Sequence, residues 1–150
     1  MRRSLVDSAK RLHRSWNMSR IRGKNTGPEI IVRQILHRNG FRFRLHDKKL
    51  PGRPDIVLKR YRTVILVHGC FWHRHDHCTR ASIPQTNRQF WLKKISGNAV
   101  RDKLDKRRLM RQGWRVLTIW QCETRNLRHL EERIVRGLPR KSSRPRPRPG

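Results

Sequence analysis

The chain has 150 residues, with 39 Lys and Arg against 10 Asp and Glu, for a formal net charge of +29. That length suits one ordinary domain, and an apolar fraction of 34% supports a single modest core. Self-repulsion on this scale calls for a polyanionic partner, nucleic acid above all; a basic membrane-surface protein would need an amphipathic basic helix or a lipid signal, and neither stands out, nor does any apolar run long enough for a span or signal peptide.

In chain order, residues Met1 to Ser15 form a flexible basic arm with weak patterning. The folded body runs from Trp16 to Leu138 and keeps 29 basic and 9 acidic residues, so the charge is not confined to the tails. Thr26-Gly-Pro-Glu29 has the form of a capping box, with Pro28 tolerated in the first turn. Ile31, Val32, Ile35 and Leu36 follow at helical spacing, and Gly40 closes the segment. Phe41-Arg-Phe43-Arg-Leu45 alternates as a half-buried strand does. Leu50-Pro-Gly-Arg-Pro54 is a turn; Asp55 to Leu58 and Thr63 to Val67 are β-rich runs joined around Tyr61 as a hairpin. After a segment dense in His and Cys come two predicted helices, Asn87 to Ile95 and Ala99 to Gln112, the second stopped by Gly113. Trp114 to Trp120 reads as a buried strand with both tryptophans inside, and Leu127, Leu130, Ile134, Val135 and Leu138 mark a last helix. This order gives an α/β fold, a mixed central sheet flanked by helices. Residues 139–150 form an Arg/Pro-rich tail with nothing apolar to bury, expected to be disordered.

Acidic residues are scarce, so each one near a turn or strand end carries information. Asp55 opens a strand behind a tight turn, a rigid position that suits a hard-metal ligand and equally suits a turn-capping carboxylate. His68-Gly-Cys70-Phe71-Trp72-His73-Arg74-His75-Asp76-His77-Cys78 is the densest constellation in the chain. Zinc takes four N or S donors in a tetrahedron. Cys70 and Cys78 with His75 or His77 supply three, and Cys122, just past the last strand, closes the set; the bland alternative is a chance group of surface histidines with buried free thiols. Three cysteines, an odd number, argue against a disulfide framework and for a reducing compartment, the cytoplasm. His68 and His73 remain for acid–base work on water attacking a phosphodiester, or as polar residues satisfied by backbone. Phe71 and Trp72 cannot both enter one core from an extended segment, and with Trp91 they are candidates for wedging between base steps, although a helical aromatic such as Trp91 also fits a core. Asp102 either pairs with Lys106 along its helix or lends the site a second carboxylate.

Pro51-Gly-Arg-Pro-Asp-Ile-Val57, His68-Gly-Cys-Phe-Trp-His73, Phe90-Trp-Leu-Lys-Lys-Ile95, Asn98 with Arg101-Asp102, and Gly113-Trp-Arg-Val-Leu117 with Trp120 and Cys122 occur in this order. Asn17-Met18 with Arg20 and Asn25-Thr-Gly-Pro-Glu29 precede them. In these motifs the chain resembles the very short patch repair (Vsr) mismatch endonucleases from about Arg14 to Glu123. The resemblance implies a core like that of the type II restriction endonucleases, a structural zinc, and nicking of double-stranded DNA 5′ to the thymine of T·G mismatches left by deamination of 5-methylcytosine. It implies Asp55 as principal magnesium ligand with the main-chain carbonyl near Val67, and His73 as the base. It further implies His68 and Asp102 as organisers of the metal's water shell and the phosphate, Glu29 as a supporting carboxylate, and Phe71, Trp72 and Trp91 as the wedge. Cys70, His75, Cys78 and Cys122 would hold zinc. The expected protein is a monomer at the nucleoid, with repair proteins as further partners. Two alternatives stand beside it: a restriction-type or mobile-element nicking endonuclease of the same fold, and a zinc-stapled DNA-binding module without catalysis.

Overall fold

The structure, a computed structural model, describes residues 25–139. The basic arm, Asn17, Met18, Arg20 and the Arg/Pro-rich tail beyond Pro139 lie outside the described residues. Helix α1 spans Gly27–Arg38. Thr26 caps it, its hydroxyl accepting from the Glu29 N–H at 3.4 Å. The Glu29 carboxylate reaches back one residue further than in a standard capping box, to the Asn25 N–H at 3.1 Å. Strand β1 is only Arg44–Leu45, shorter than the alternation from Phe41 suggested. Phe41 instead packs edge-on to Tyr61, ring centroids 5.3 Å apart, so its side chain is buried without its backbone joining the ladder. Strands β2, Ile56–Leu58, and β3, Thr63–His68, form the expected hairpin. A short 3-10 turn over Lys59–Tyr61 and a left-handed Arg62 connect them.

The predicted helix pair is one continuous helix, α2, Arg88–Arg111. Gly97 does not break it: an interior glycine weakens a helix by roughly 1 kcal/mol but leaves its hydrogen-bond ladder intact, unlike proline. The helix ends where expected. The Gly113 N–H donates to the Met110 carbonyl at 3.0 Å and the Trp114 N–H to that of Leu109 at 3.1 Å, a Schellman closure with Gly113 at φ 86°. Strand β4, Arg115–Trp120, and helix α3, Leu127–Gly137, complete the fold. Within β4 only Ile119 is buried, and Trp114 and Trp120 are half-exposed, because β4 is an edge strand.

The sheet order is β1-β2-β3-β4, antiparallel up to β3 and parallel between β3 and β4, with α2 as the crossover. Period-two alternation divides the strand side chains between two layers. On one face Ile56, Leu58, Ile65, Val67 and Ile119 pack against Val32, Ile35 and Leu36 of α1 and Leu130 and Ile134 of α3. On the other, Val57 and Val64 meet Leu109 of α2. Asp55, Leu66 and His68 share the parity of this second face, so the polar ends of β2 and β3 open toward α2. The result is a mixed sheet between helical layers, consistent with a nuclease-like core. Among the described residues no helix is long and apolar enough to cross a membrane.

The turn before Asp55 is sterically fixed. The Arg53 N–H closes on the Leu50 carbonyl at 3.1 Å, with Gly52 at φ 69°. A Cβ added at Gly52 would lie 2.9 Å from Cβ of Asp105, whereas one at Gly97 meets nothing within 4 Å. Gly52→Ala is therefore expected to destabilise the protein by about 1–3 kcal/mol, and Gly97→Ala to stabilise it by about 0.5–1 kcal/mol. Chemical denaturation of the two variants checks these opposite signs.

Candidate active site and metal centre

Asp55 leaves the glycine turn at the mouth of the hairpin, and its Oδ2 accepts the Val67 N–H from β3 at 2.7 Å. That bond aims the carboxylate across the end of the sheet. Burial pushes the carboxyl up to about 6, against the pull of the Val67 N–H, with Glu29 raising it further and His46 and His73 lowering it. Its folded-state value thus lies above the unfolded one. The stability this gives is present at low pH and lost as pH rises through about 6, so an ionised Asp55 opposes folding at neutral pH unless a cation offsets it.

A second group faces it. His68, the last residue of β3, lies flat on His73, with ring centroids 3.9 Å apart and planes 6° from parallel. His73 is anchored from α2: its Nδ1 lies 2.6 Å from Oδ2 of Asp102. A carboxylate only accepts, so this contact places the proton on Nδ1 and leaves the Nε2 lone pair free to receive another. Asp102 therefore pairs across to the His-rich loop and not along its own helix. Burial and the neighbouring His73 pull His68 down to about 4, which keeps it uncharged at neutral pH. Glu29, Asp55, Val67, His68, Phe71, Trp72, His73 and Asp102 all line one cleft of about 1060 Å³. Asp55 and His73 thus face the same space, although one comes from a turn and the other from a loop.

The loop after β3 holds a separate cluster. Donor atoms of Cys70, His75, Cys78 and Cys122 all lie within 4.8 Å of one another, and Cys122 Sγ is 3.4 Å from His75 Nδ1. Tetrahedral zinc bound by thiolates and imidazole spaces its donors roughly 3.5–3.8 Å apart, and three sulfurs and one nitrogen gathered within 4.8 Å of one another are a donor set of the kind that ion takes. Burial together with the sulfurs of Cys70 and Cys78 pushes the Cys122 thiol up to about 11; a cation would relieve that crowding of charge. The geometry selects His75 for this group, while His77 is exposed at φ 56°.

Phe71, Trp72 and Trp91 form one edge-to-face patch at the rim of the cleft, with centroid separations of 5.1 to 6.0 Å. None is a core residue: all three are half-exposed. Asn98 on α2 donates its amide to the Trp72 carbonyl at 3.0 Å and fixes the loop that carries the rings.

Three residues escaped the sequence reading. His46, at φ 47°, lies 3.2 Å from Oε2 of Glu29 and forms a potential three-donor group with Glu29 and Asp55. The β1–β2 register, in which Leu45 opposes Ile56, places His46 against Asp55; an alternation pattern alone does not supply that pairing. Phe90 is 58% exposed and extends the aromatic patch through Trp91; its place in the motif Phe90-Trp-Leu-Lys-Lys-Ile95 was its only signal. Trp120 touches both histidine groups, and this follows only from the parallel β3–β4 register.

The amino-acid sequence matches the family model of DNA mismatch endonuclease Vsr over residues 6–80. The Type II nicking enzyme V.XorIIP of Xanthomonas oryzae pv. oryzae is 47% identical over 121 residues, covering 81% of this chain and 88% of that protein. The Type II nicking enzyme V.NmeAIP of Neisseria meningitidis is 44% identical over 123 residues, covering 82% and 87%. The DNA mismatch endonuclease Vsr of Escherichia coli K12 is 43% identical over 131 residues, covering 87% and 83%. With this agreement along most of its length, the chain belongs to the Vsr family of DNA mismatch endonucleases.

Proposed function

We propose that this protein nicks one strand of double-stranded DNA 5′ to the thymine of a T·G mismatch, with magnesium at Asp55 and a structural zinc in the Cys/His cluster. The observation that carries the reading is the shared cleft: a half-buried carboxylate and an Asp-anchored imidazole open onto one space in a body whose charge attracts DNA. Asp55, with the Val67 carbonyl beside it, would hold the divalent ion. Bound there, the ion supplies Lewis-acid polarisation of a phosphate oxygen and offsets charge on the leaving oxygen.

The chain's own residues supply the rest. His73 Nε2 takes the proton of the attacking water as the water oxygen bonds to phosphorus and the phosphodiester P–O bond breaks. Asp102 holds the imidazole in the accepting tautomer and stabilises the imidazolium that forms. Uncharged His68 fixes the His73 ring from one face and offers a hydrogen bond to the phosphate region. Glu29 supports the carboxylate side of the cleft, its Oε2 bonded to Arg33 at 3.0 Å. Phe71, Trp72 and Trp91 would enter the duplex at the mismatch. A T·G wobble stacks less well than a matched pair, so unstacking it costs less and selectivity follows from deformability.

The relatives named as Type II nicking enzymes favour single-strand cleavage; the mismatch preference is the finer part of the proposal. Labelled duplexes that differ only in T·G against T·A separate the two, with cutting expected on T·G alone. Equal cutting of both duplexes would sink the mismatch assignment and leave a nickase. Asp55→Asn is expected to abolish magnesium-dependent nicking while DNA affinity holds, and His73→Ala to slow nicking by roughly 10²- to 10⁴-fold; an Asp55→Asn protein that still nicks removes the metal role. For the cluster, elemental analysis should find one zinc per chain, lost with several degrees of Tm in Cys122→Ser; a metal-free wild-type protein of unchanged Tm overturns the zinc reading.

A further inference from the structure

The contact that ties the thiol cluster to the cleft is a row of aromatic rings. Trp120 ends β4 directly opposite His68 in the parallel ladder. One face of its indole stacks on His75, with centroids 4.1 Å apart and planes 7° from parallel. Its ring also meets His68 edge-to-face at 5.3 Å and 73°. His68 in turn lies flat on His73, and His73 is bonded to Asp102. An unbroken series of contacts therefore runs from Cys122 through His75, Trp120 and His68 to the imidazole at the cleft.

We propose that Trp120 is a positioning residue through which the ion in the Cys70/His75/Cys78/Cys122 cluster sets the pose of the His68–His73 pair. The inference rests on the reading of that cluster as a zinc site and of His73 as the base. Two features of the surroundings favour it. The backbone at Trp120 is clamped: its N–H donates to the Glu123 carboxylate at 2.7 Å, and Arg133 holds that carboxylate at 2.6 and 2.8 Å. The indole, by contrast, is only half-buried and borders a recess of about 390 Å³ behind the imidazoles, lined also by Thr118, Lys103 and Lys106. Core packing therefore does not lock the ring. Its ring contacts are the stack on His75 and the edge-to-face approach to His68, and His75 is oriented by the bond its nitrogen makes with Cys122. Closely packed flat rings resist interpenetration steeply, so a turn of His75 moves Trp120, and Trp120 moves His68.

The test uses the full-length zinc protein as wild type, Trp120→Leu and Trp120→Phe. Metal content, DNA affinity, single-turnover nicking and the side-chain ¹⁵N signals of His68 and His73 are measured. Zinc is then exchanged for cadmium, a larger ion that accepts the same donors. In Trp120→Leu, zinc content and DNA affinity should stay within twofold of wild type while the single-turnover rate falls about 10- to 100-fold. Trp120→Phe, which keeps a flat ring, should recover most of that rate. Cadmium exchange should displace the His68 and His73 signals in wild type and in Trp120→Phe but leave them still in Trp120→Leu. The proposal is overturned if cadmium leaves the wild-type signals unmoved, if it moves them equally in Trp120→Leu, or if phenylalanine does no better than leucine. Should Trp120→Leu fail to fold, the wild-type and Trp120→Phe cadmium shifts decide alone. A wild-type chain that purifies and nicks without bound metal sinks the zinc reading and the coupling together; bound zinc with unmoved histidines sinks only the coupling.

Discussion

The parallel pairing of β3 with β4 is the constraint on which the rest of the molecule depends. Its register sets Val67 opposite Ile119 and His68 opposite Trp120. Two residues beyond Trp120 the chain has only to turn to bring Cys122 beside Cys70, which lies two residues beyond His68. One hydrogen-bonded ladder thus aligns the carboxylate held by the Val67 N–H, the imidazole pair and the thiol cluster. A parallel ladder cannot be closed by a tight turn and needs a crossover. Here the crossover is α2, which also delivers Asp102 and Asn98 to the site. The helix that makes the pairing possible is the same helix that anchors His73 and the Trp72 carbonyl.

Charge is distributed to match. The cleft gathers Glu29, Asp55, Asp102 and Asp105 on a chain that has only 10 acidic residues. Concentrating carboxylates there, in surroundings of opposite sign, creates a cation-attracting pocket inside a surface that draws in the polyanion. The burial that lifts Asp55 has the same sense. On the reading proposed above, a cation bound there would offset the cost of the ionised carboxylate and so stabilise the folded state.

Near the site the fold relies on turns and short loops more than on apolar mass. The segment from Gly69 to Asn87 contributes only Cys70 to the buried interior. It keeps its form through local bonds, such as His75 N–H to the Cys70 carbonyl at 2.9 Å, through the cluster, and through Asn98 and Asp102 on the adjoining helix. A loop held this way can present half-exposed aromatic rings at a fixed place without burying them.

Much of this was legible in the residues. Capping at Thr26, the glycine turn before Asp55, the hairpin around Tyr61 and the stop at Gly113 all depend on interactions within a few positions, where residue type dictates backbone geometry. The cluster of Cys and His, the aromatic pair and the family motifs declared themselves by composition and order. Three things depended on distance in the chain. Whether Asp102 pairs with Lys106 or with His73 is a contact across 29 positions, and helical spacing cannot rank it. The choice of His75 over His77 turns on which ring the loop's turns direct at Cys122. The place of Trp120 follows from strand register, which is set by the apolar packing of both sheet faces together. The sequence by itself determined the elements, their order and the chemical groups available. The tertiary structure alone decided which of those groups meet, because meeting is settled by the collective packing of helices and strands and not by any local preference.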